Sequence, residues 1–418
     1  MNKMLCVLLA IITATLLGCN PTQPTASPTA LQPSPTVSLS FLKIDRYPPA
    51  NAWNQGKLHW LPDYDLEAEN PFQIDLRSAD LSLLDLHTER STIQYALFDS
   101  KTIWPADDRM PVDFDWTRMM EIGKNPGLGV RSLHAQGISG QGVSIAIIDQ
   151  TLLIKHVEYT GRILLYEEDV SFSAQAASVH GPAVTSLAVG ETTGVAPGAN
   201  VFFFAVDVTD PDSTVSEFKR NFHTMAEAIR RVINLNRRLP DDMRIRAISI
   251  SNGWNPNEIG YDDIRAAVEE ASAAGILVVS GRMSQTYGYQ LYWLGRSPDA
   301  DPDSFDSYGL CELCAEVSPE DFAAVERILI PMDSRTVASF TGVEDYAFFR
   351  LGGGSWTMPY FTGVYALACQ VDPGITPERF LQLAWETGRA LEVGEGEQAF
   401  VLGKIVDPVA LIEALMHD

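Results

Sequence analysis

A chain of 418 residues with 54 acidic and 30 basic side chains, a formal charge of −24, argues against nucleic acid as a partner and against electrostatic adhesion to anionic lipid. The roughly 380 residues beyond the first forty suffice for one large domain with an extension. Oligomeric state is not readable from such numbers.

Residues 1–18 have a short positive start at Lys3, an apolar stretch from Met4 to Leu17, and a small Gly18. That run is too short and too early for a stable spanning helix and reads as a cleaved signal peptide. Leu16-Leu17-Gly18-Cys19 resembles a bacterial lipobox, which implies that Cys19 is acylated and becomes the new amino terminus. The alternative is an ordinary secretory signal followed by a chance cysteine. Several acyl chains would anchor firmly, since each buried methylene contributes roughly 0.8 kcal/mol. The expected location is therefore extracytoplasmic, with the lipid on Cys19 as the membrane partner. Residues 19–40 are rich in Pro, Thr and Ser and form an extended tether that cannot bury a core.

Residues 41–125 carry aromatics and apolar runs, Ile93 to Phe98 and Phe114 to Trp116 among them, and read as folded. Val143 to Asp149 is a near-continuous apolar run ending in a carboxylate, the signature of a parallel strand covered on both faces. Ligand-binding groups collect at the carboxyl ends of such strands, which places Asp149 where an active site is built. His156 follows seven residues on. His180-Gly181-Pro182 opens a small, apolar stretch that reads as a buried helix, with Pro182 suited to its first turn.

Strands follow at Val201 to Val206, Ala247 to Gly253 and Ile276 to Arg282, with a helix from Ile264 to Ala274 before the last. Asp299-Ala300-Asp301-Pro302-Asp303 has the carboxylate spacing of a calcium loop, but Ser304 at the sixth position and Leu310 at the twelfth exclude the helix-loop-helix site. A solvated acidic loop is the simpler reading. Cys311 and Cys314 have the spacing of half a zinc site or a redox pair; without a second pair or a nearby histidine they read as paired or idle thiols, and no metal is assigned. Gly352-Gly353-Gly354-Ser355 leads into Tyr360 to Gln370, so Ser355 stands at a helix amino end where free amides favour developing negative charge. Cys369, on that helix, reads as a small core residue.

A serine hydroxyl is a poor nucleophile unless a base takes its proton, and the base needs a carboxylate to hold its tautomer and stabilise its cation. Asp149, His180 and Ser355 supply these three functions. Each alone also has an ordinary reading: strand cap, capping histidine, loop hydroxyl. Their order and setting resemble the subtilisin family, the subtilases, over about residues 126 to 415. The aspartate motif is matched by Asp149 and His156, with Gln150 and Thr151 as departures, and the histidine motif by His180-Gly181-Pro182. Gly194 to Ala199 resembles the family's Gly-Val-Ala-Pro strand entry. The serine motif is matched at Gly353, Ser355, Pro359 and Gly363, and the tail Gly403 to Pro408 resembles the closing strand and final helix. An α/β-hydrolase is disfavoured, because Gly353-Gly354-Ser355-Trp356-Thr357 lacks the closing glycine of a nucleophile elbow and the triad order differs.

The resemblance implies a doubly wound, mostly parallel α/β sheet with helices on both faces in a peptidase domain at 126–418, preceded by the extension. It implies that Ser251, Asn252 and Gly253 bind substrate backbone by strand addition. Arg282 stands where the family has an oxyanion-donating asparagine, and its five donors make it a candidate replacement. The extension has the size of a family prosegment, with a permanent part of the fold as the alternative. Subtilases often bind calcium, yet no residue here matches a ligand motif, and calcium stays open as a cofactor. The expected function is a membrane-tethered serine endopeptidase acting on polypeptides. The alternative is a catalytically impaired lipoprotein that binds peptides without cleaving them, suggested by Trp254, Trp356 and Arg282 at positions where active members differ.

Overall fold

The computed structural model describes residues 39–62, 74–169, 175–210, 212–213, 219–311, 325–394, 396 and 399–417. The expected signal peptide, Cys19, the tether up to Ser38, and Cys314 lie outside these residues.

Five parallel strands form the central sheet, in the order Ile163–Glu168, Asn200–Ala205, Ser144–Asp149, Ile245–Ile250 and Leu277–Ser280. The earliest strand in the sequence lies in the middle, so the chain winds first to one side and then to the other. A crevice opens at the carboxyl end of such a switch strand. Asp149 ends that strand, opposite Ala205.

The Ser144–Asp149 strand is buried throughout because both of its faces are covered. Alternation sends Ile145 and Ile147 into the core containing Val184, Leu187, Phe361 and Val364. Ala146 and Ile148 go to the opposite core with Ile229, Val232, Ile264 and Val268. Helices His180–Val189 and Thr357–Val371 thus cover one face, and His223–Asn236 and Tyr261–Ala273 the other. This is the expected doubly wound α/β arrangement. The Thr357–Val371 helix lies so close to its neighbours that a Cβ at Gly363 would sit 2.6 Å from that of Val195.

A second five-stranded sheet contains Tyr289–Arg296 parallel to Glu326–Pro331, which in turn pairs with Phe400–Ile405. The chain then enters the hairpin Arg335–Ala338 and Tyr346–Phe349, called the serine hairpin because it leads into Ser355. Here the extension joins the fold. Ala96–Asp99 adds antiparallel to Tyr346–Phe349, and Ile74–Asp75 adds parallel to Ala96–Asp99. Phe98 is fully buried and stacks on Phe348 with ring centroids 5.0 Å apart. The buried Thr336 hydroxyl donates to the Met120 carbonyl at 2.7 Å, tying the Trp116–Lys124 helix to the hairpin. Among the described residues, no helix is long and apolar enough to cross a membrane.

Candidate active site

The crevice brings together three segments remote in sequence. His180 is the first residue of its helix, and its Nδ1 lies 2.7 Å from Asp149 Oδ1. The carboxylate is nearly enclosed, with 3 % of its side chain exposed against 29 % for the imidazole. The Gln150 amide donates to the same carboxylate oxygen at 2.8 Å. A neutral ring donating from Nδ1 presents Nε2 as an acceptor, the tautomer a general base requires. Nε2 has no hydrogen-bond partner among the described residues.

Ser355 lies in a turn of 3-10 helix, Gly354–Trp356, immediately before the Thr357–Val371 helix. Its Oγ donates to the Ser251 carbonyl at 3.4 Å, while Ser251 Oγ donates to the Ser355 carbonyl at 2.9 Å. Asp149, His180 and Ser355 line one cavity of about 310 Å³, together with Ser251 and Asn252. The glycine before the nucleophile is dictated by a neighbour: a Cβ at Gly354 would meet Trp293 Nε1 at 2.7 Å.

The environment of His180 sets its titration. Withdrawal from water lowers its pKa and is the largest single influence, but the charge and hydrogen bond of Asp149 together outweigh it, so the value is raised above 6.5. A base must be neutral to act. The acid limb of kcat/KM is therefore expected to have its midpoint above 6.5, and Asp149→Asn to move that midpoint down. The stability contributed by the pair has the opposite slope: it is full below the unfolded pKa and is lost as pH rises through the raised folded value. A pH profile of peptide hydrolysis checks the first expectation, and an acid limb at or below 6.5 contradicts it.

His156 is not part of this group. It is fully buried, its Nε2 donating to the Asp345 carbonyl at 2.8 Å and its Nδ1 accepting from the Glu158 amide. Burial, the largest influence, lowers its pKa, so the ring is a neutral bridge.

Arg282 is placed differently from its sequence expectation. Its Nε donates to the Trp254 carbonyl at 2.7 Å and one terminal nitrogen to Asn255 Oδ1, so two of its three nitrogens already have acceptors, while the residue lines a cavity with Ser355. A long guanidinium finds carbonyl acceptors beyond the reach of the shorter asparagine amide. Trp254 is 2 % exposed and packs on Phe222, whereas Trp356, 5 % exposed, has its ring 5.7 Å from that of His180 and lines a cavity with His180 and Ser355.

In the acidic loop, Asp303 accepts from the Gly129 amide and the Asn125 side chain, and Arg296 holds the Ala300 carbonyl. Among the described residues no group of three or more His, Cys, Asp or Glu side chains is arranged to hold a metal ion. Cys311 is disulfide-bonded, and Cys369 is a buried free thiol whose pKa burial pushes up to about 12.

Sequence reading missed the contribution of the extension. Asp75 and Arg77 line a second cavity, about 390 Å³, shared with His180, Gly353 and Ser355. Arg77 binds Asp75 through Nε at 3.0 Å and its terminal nitrogen at 2.7 Å, and its guanidinium carbon lies 5.0 Å from the Trp53 ring centroid. The next residue is held by the buried Asp99 carboxylate, which accepts from both the amide and the hydroxyl of Ser78. Nothing in the local sequence of 74–78 signals this placement, because it depends on the 96–99 strand docking beside the serine hairpin.

Residues 140–281 match the family model described as Subtilase family, Peptidase S8. Over these residues the chain is similar to subtilases. The matched subtilase segment contains Asp149, His180 and the Ser251–Gly253 stretch. Similar solved structures include the prenylagaramide maturation protease PagA, with 17 % identity over 69 % of this chain and 99 % of that one at a TM-score of 0.47. Another is the PatG macrocyclase domain, with 18 % identity over 69 % of this chain and 96 % of that one at 0.48. A cold-adapted subtilisin-like serine proteinase is similar at 18 % identity, over 64 % and 91 % of the two chains, at 0.42.

Proposed function

We propose that this protein is a subtilase-type serine endopeptidase in which Ser355 attacks a peptide carbonyl, His180 carries the proton and Asp149 orients the imidazole. One observation carries the reading: an enclosed carboxylate bonded to Nδ1 of a histidine that lines one cavity with Ser355. The Ser355 hydroxyl rests on a long bond, 3.4 Å, to the neutral Ser251 carbonyl, a weak tie to give up for the imidazole. The oxyanion is held by the Ser355 backbone amide at the mouth of the helix. Arg282 adds little there, and turnover is correspondingly slow, since one missing oxyanion donor costs roughly two to three powers of ten. Substrate is an extended polypeptide aligned along Ser251, Asn252 and Gly253. A fluorophosphonate probe tests the reading: it labels the folded wild-type protein and does not label Ser355→Ala.

A second reading, a peptide-binding protein without turnover, is favoured by the engagement of Arg282 with Trp254 and Asn255. Absence of labelling in a folded preparation selects it.

We further propose that acylated Cys19 anchors the protein outside the bacterial cell membrane and that residues 41–125 remain with the catalytic unit. Pairing of the 96–99 strand with the serine hairpin supports retention. With an antibody to the carboxyl end, immunoblots are expected to find the wild type in the membrane fraction. Cys19→Ala is expected to abolish that association. A wild-type catalytic fragment in the medium, shortened by the extension, contradicts retention.

A further inference from the structure

Ser251 and Asn252 line the cavity shared with Asp149, whereas the cavity of about 390 Å³ shared with Asp75 and Arg77 takes its walls from other segments. Both reach His180 and Ser355, so the nucleophile stands between them. In acyl transfer the imidazolium gives its proton to the departing amine, which therefore leaves past the histidine. With the acyl segment aligned along Ser251 to Gly253, the cavity of Asp75 and Arg77 falls to the first residue of the departing chain.

Its walls are mostly apolar. Leu97 comes from the extension, Val179 precedes the catalytic histidine, and Phe349, Leu351 and Trp356 flank the glycine approach to Ser355. Phe349 and Trp356 meet edge to face, with ring centroids 5.2 Å apart and planes at 84°. A further ring beside them gains contacts of the same kind. The charged part of the wall is a pair whose charges cancel: Arg77 binds Asp75 through two nitrogens, and its guanidinium carbon lies 5.6 Å from the Phe349 ring centroid. A charged side chain entering here gives up hydration without meeting an opposite charge in need of a partner. Leu97 stands opposite Asp75 in the register of their two parallel strands, so one strand pairing sets both residues into the wall.

We propose that this cavity selects the residue on the amine side of the attacked bond and takes a large apolar side chain, an aromatic one above all. The extension then determines specificity directly, through Leu97 and the Asp75–Arg77 pair. The proposal rests on the peptidase reading. A cavity of about 390 Å³ stands near the low end of the roughly 300–1,000 Å³ typical of ligand sites, room for one large side chain rather than a long segment.

The test needs no knowledge of acyl-side preference. p-Nitrophenyl acetate acetylates Ser355 with release of nitrophenol, and amino-acid amides then compete with water for the acetyl group. The amine nitrogen bonds to the acyl carbon, the bond to Ser355 Oγ breaks, and His180 passes the amine proton to that oxygen. By microscopic reversibility the amine enters where a departing chain leaves. Phenylalanine amide is expected to be acetylated about tenfold or more faster than alanine amide, the factor that burial of a phenyl ring supplies, with Ser355→Ala giving the background. Glutamate α-amide is expected to do no better than alanine amide. Asp75→Asn keeps the shape and uncovers the Arg77 charge, so the ratio of glutamate α-amide to glutamine amide is expected to rise. Equal acetylation of the phenylalanine and alanine amides, a wild-type preference for glutamate, or an unmoved ratio in folded Asp75→Asn overturns the proposal; the wild-type series decides it should that variant not fold. Acetylation and fluorophosphonate labelling without amine preference leave the peptidase reading and remove the pocket. If the wild type is neither labelled nor acetylated, saturation-transfer NMR of Ser355→Ala with the same amides decides. Selective contact with phenylalanine amide then keeps the pocket and removes the peptidase reading, and equal response to both amides removes both.

Discussion

Ser355→Ala, His180→Ala and the double variant are expected to lose the same share of catalysed turnover, on the order of a million-fold, because nucleophile and base act as one unit. Asp149→Asn is expected to lose less, on the order of ten-thousand-fold, since it disturbs tautomer and orientation while leaving the ring and hydroxyl in place. Single-turnover hydrolysis of a labelled peptide measures all four proteins. The enclosed carboxylate makes the Asp149 effect large: a 2.7 Å bond between Asp149 and His180 with 3 % of the carboxylate side chain exposed is little diluted by solvent. Losses that multiply across Ser355 and His180, or labelling that persists in Ser355→Ala, would mean that the two side chains do not share a proton.

Phe98→Ala is expected to destabilise the protein by about 3–5 kcal/mol, the range for removing a fully buried aromatic ring. The same variant is expected to slow fluorophosphonate labelling. Phe98 is 0 % exposed, stacks on Phe348 and meets Trp104 edge-on at 5.4 Å. Phe348 sits on the strand that runs directly into Gly352–Ser355, so loosening the ring stack loosens the approach to the nucleophile. Denaturant midpoints and labelling rates of the mature protein report both effects. If the extension is a detachable cover, the mature protein carries no residue 98 and the variant changes neither quantity. Retention, stability and reactivity are thus tied to one side chain.

The differences between the two predictions reflect what is local and what is not. Asp149, His180 and Ser355 were legible because each sits in a short segment whose backbone requirements are severe: a strand covered on both faces, a small buried helix, a glycine approach to a helix mouth. These constraints act within a few residues and leave a mark in periodicity and composition. The orientation of Arg282 was not legible, because the acceptors that claim it, Trp254 and Asn255, lie 28 and 27 residues away and reach it only through the pairing of neighbouring strands. Neither was the part played by Asp75 and Arg77, which reach the crevice by way of strands added to the serine hairpin.

By itself, then, the sequence determined the doubly wound α/β class, the segments that carry the candidate triad and the charge of the whole. Tertiary structure alone decided that Asp75 and Arg77 of the extension line a cavity with His180 and Ser355 and that the Arg282 guanidinium is held by Trp254 and Asn255. The reason is physical. Side-chain type and spacing govern local backbone form, whereas the direction in which a long, flexible, charged side chain points depends on which acceptors packing brings within its reach.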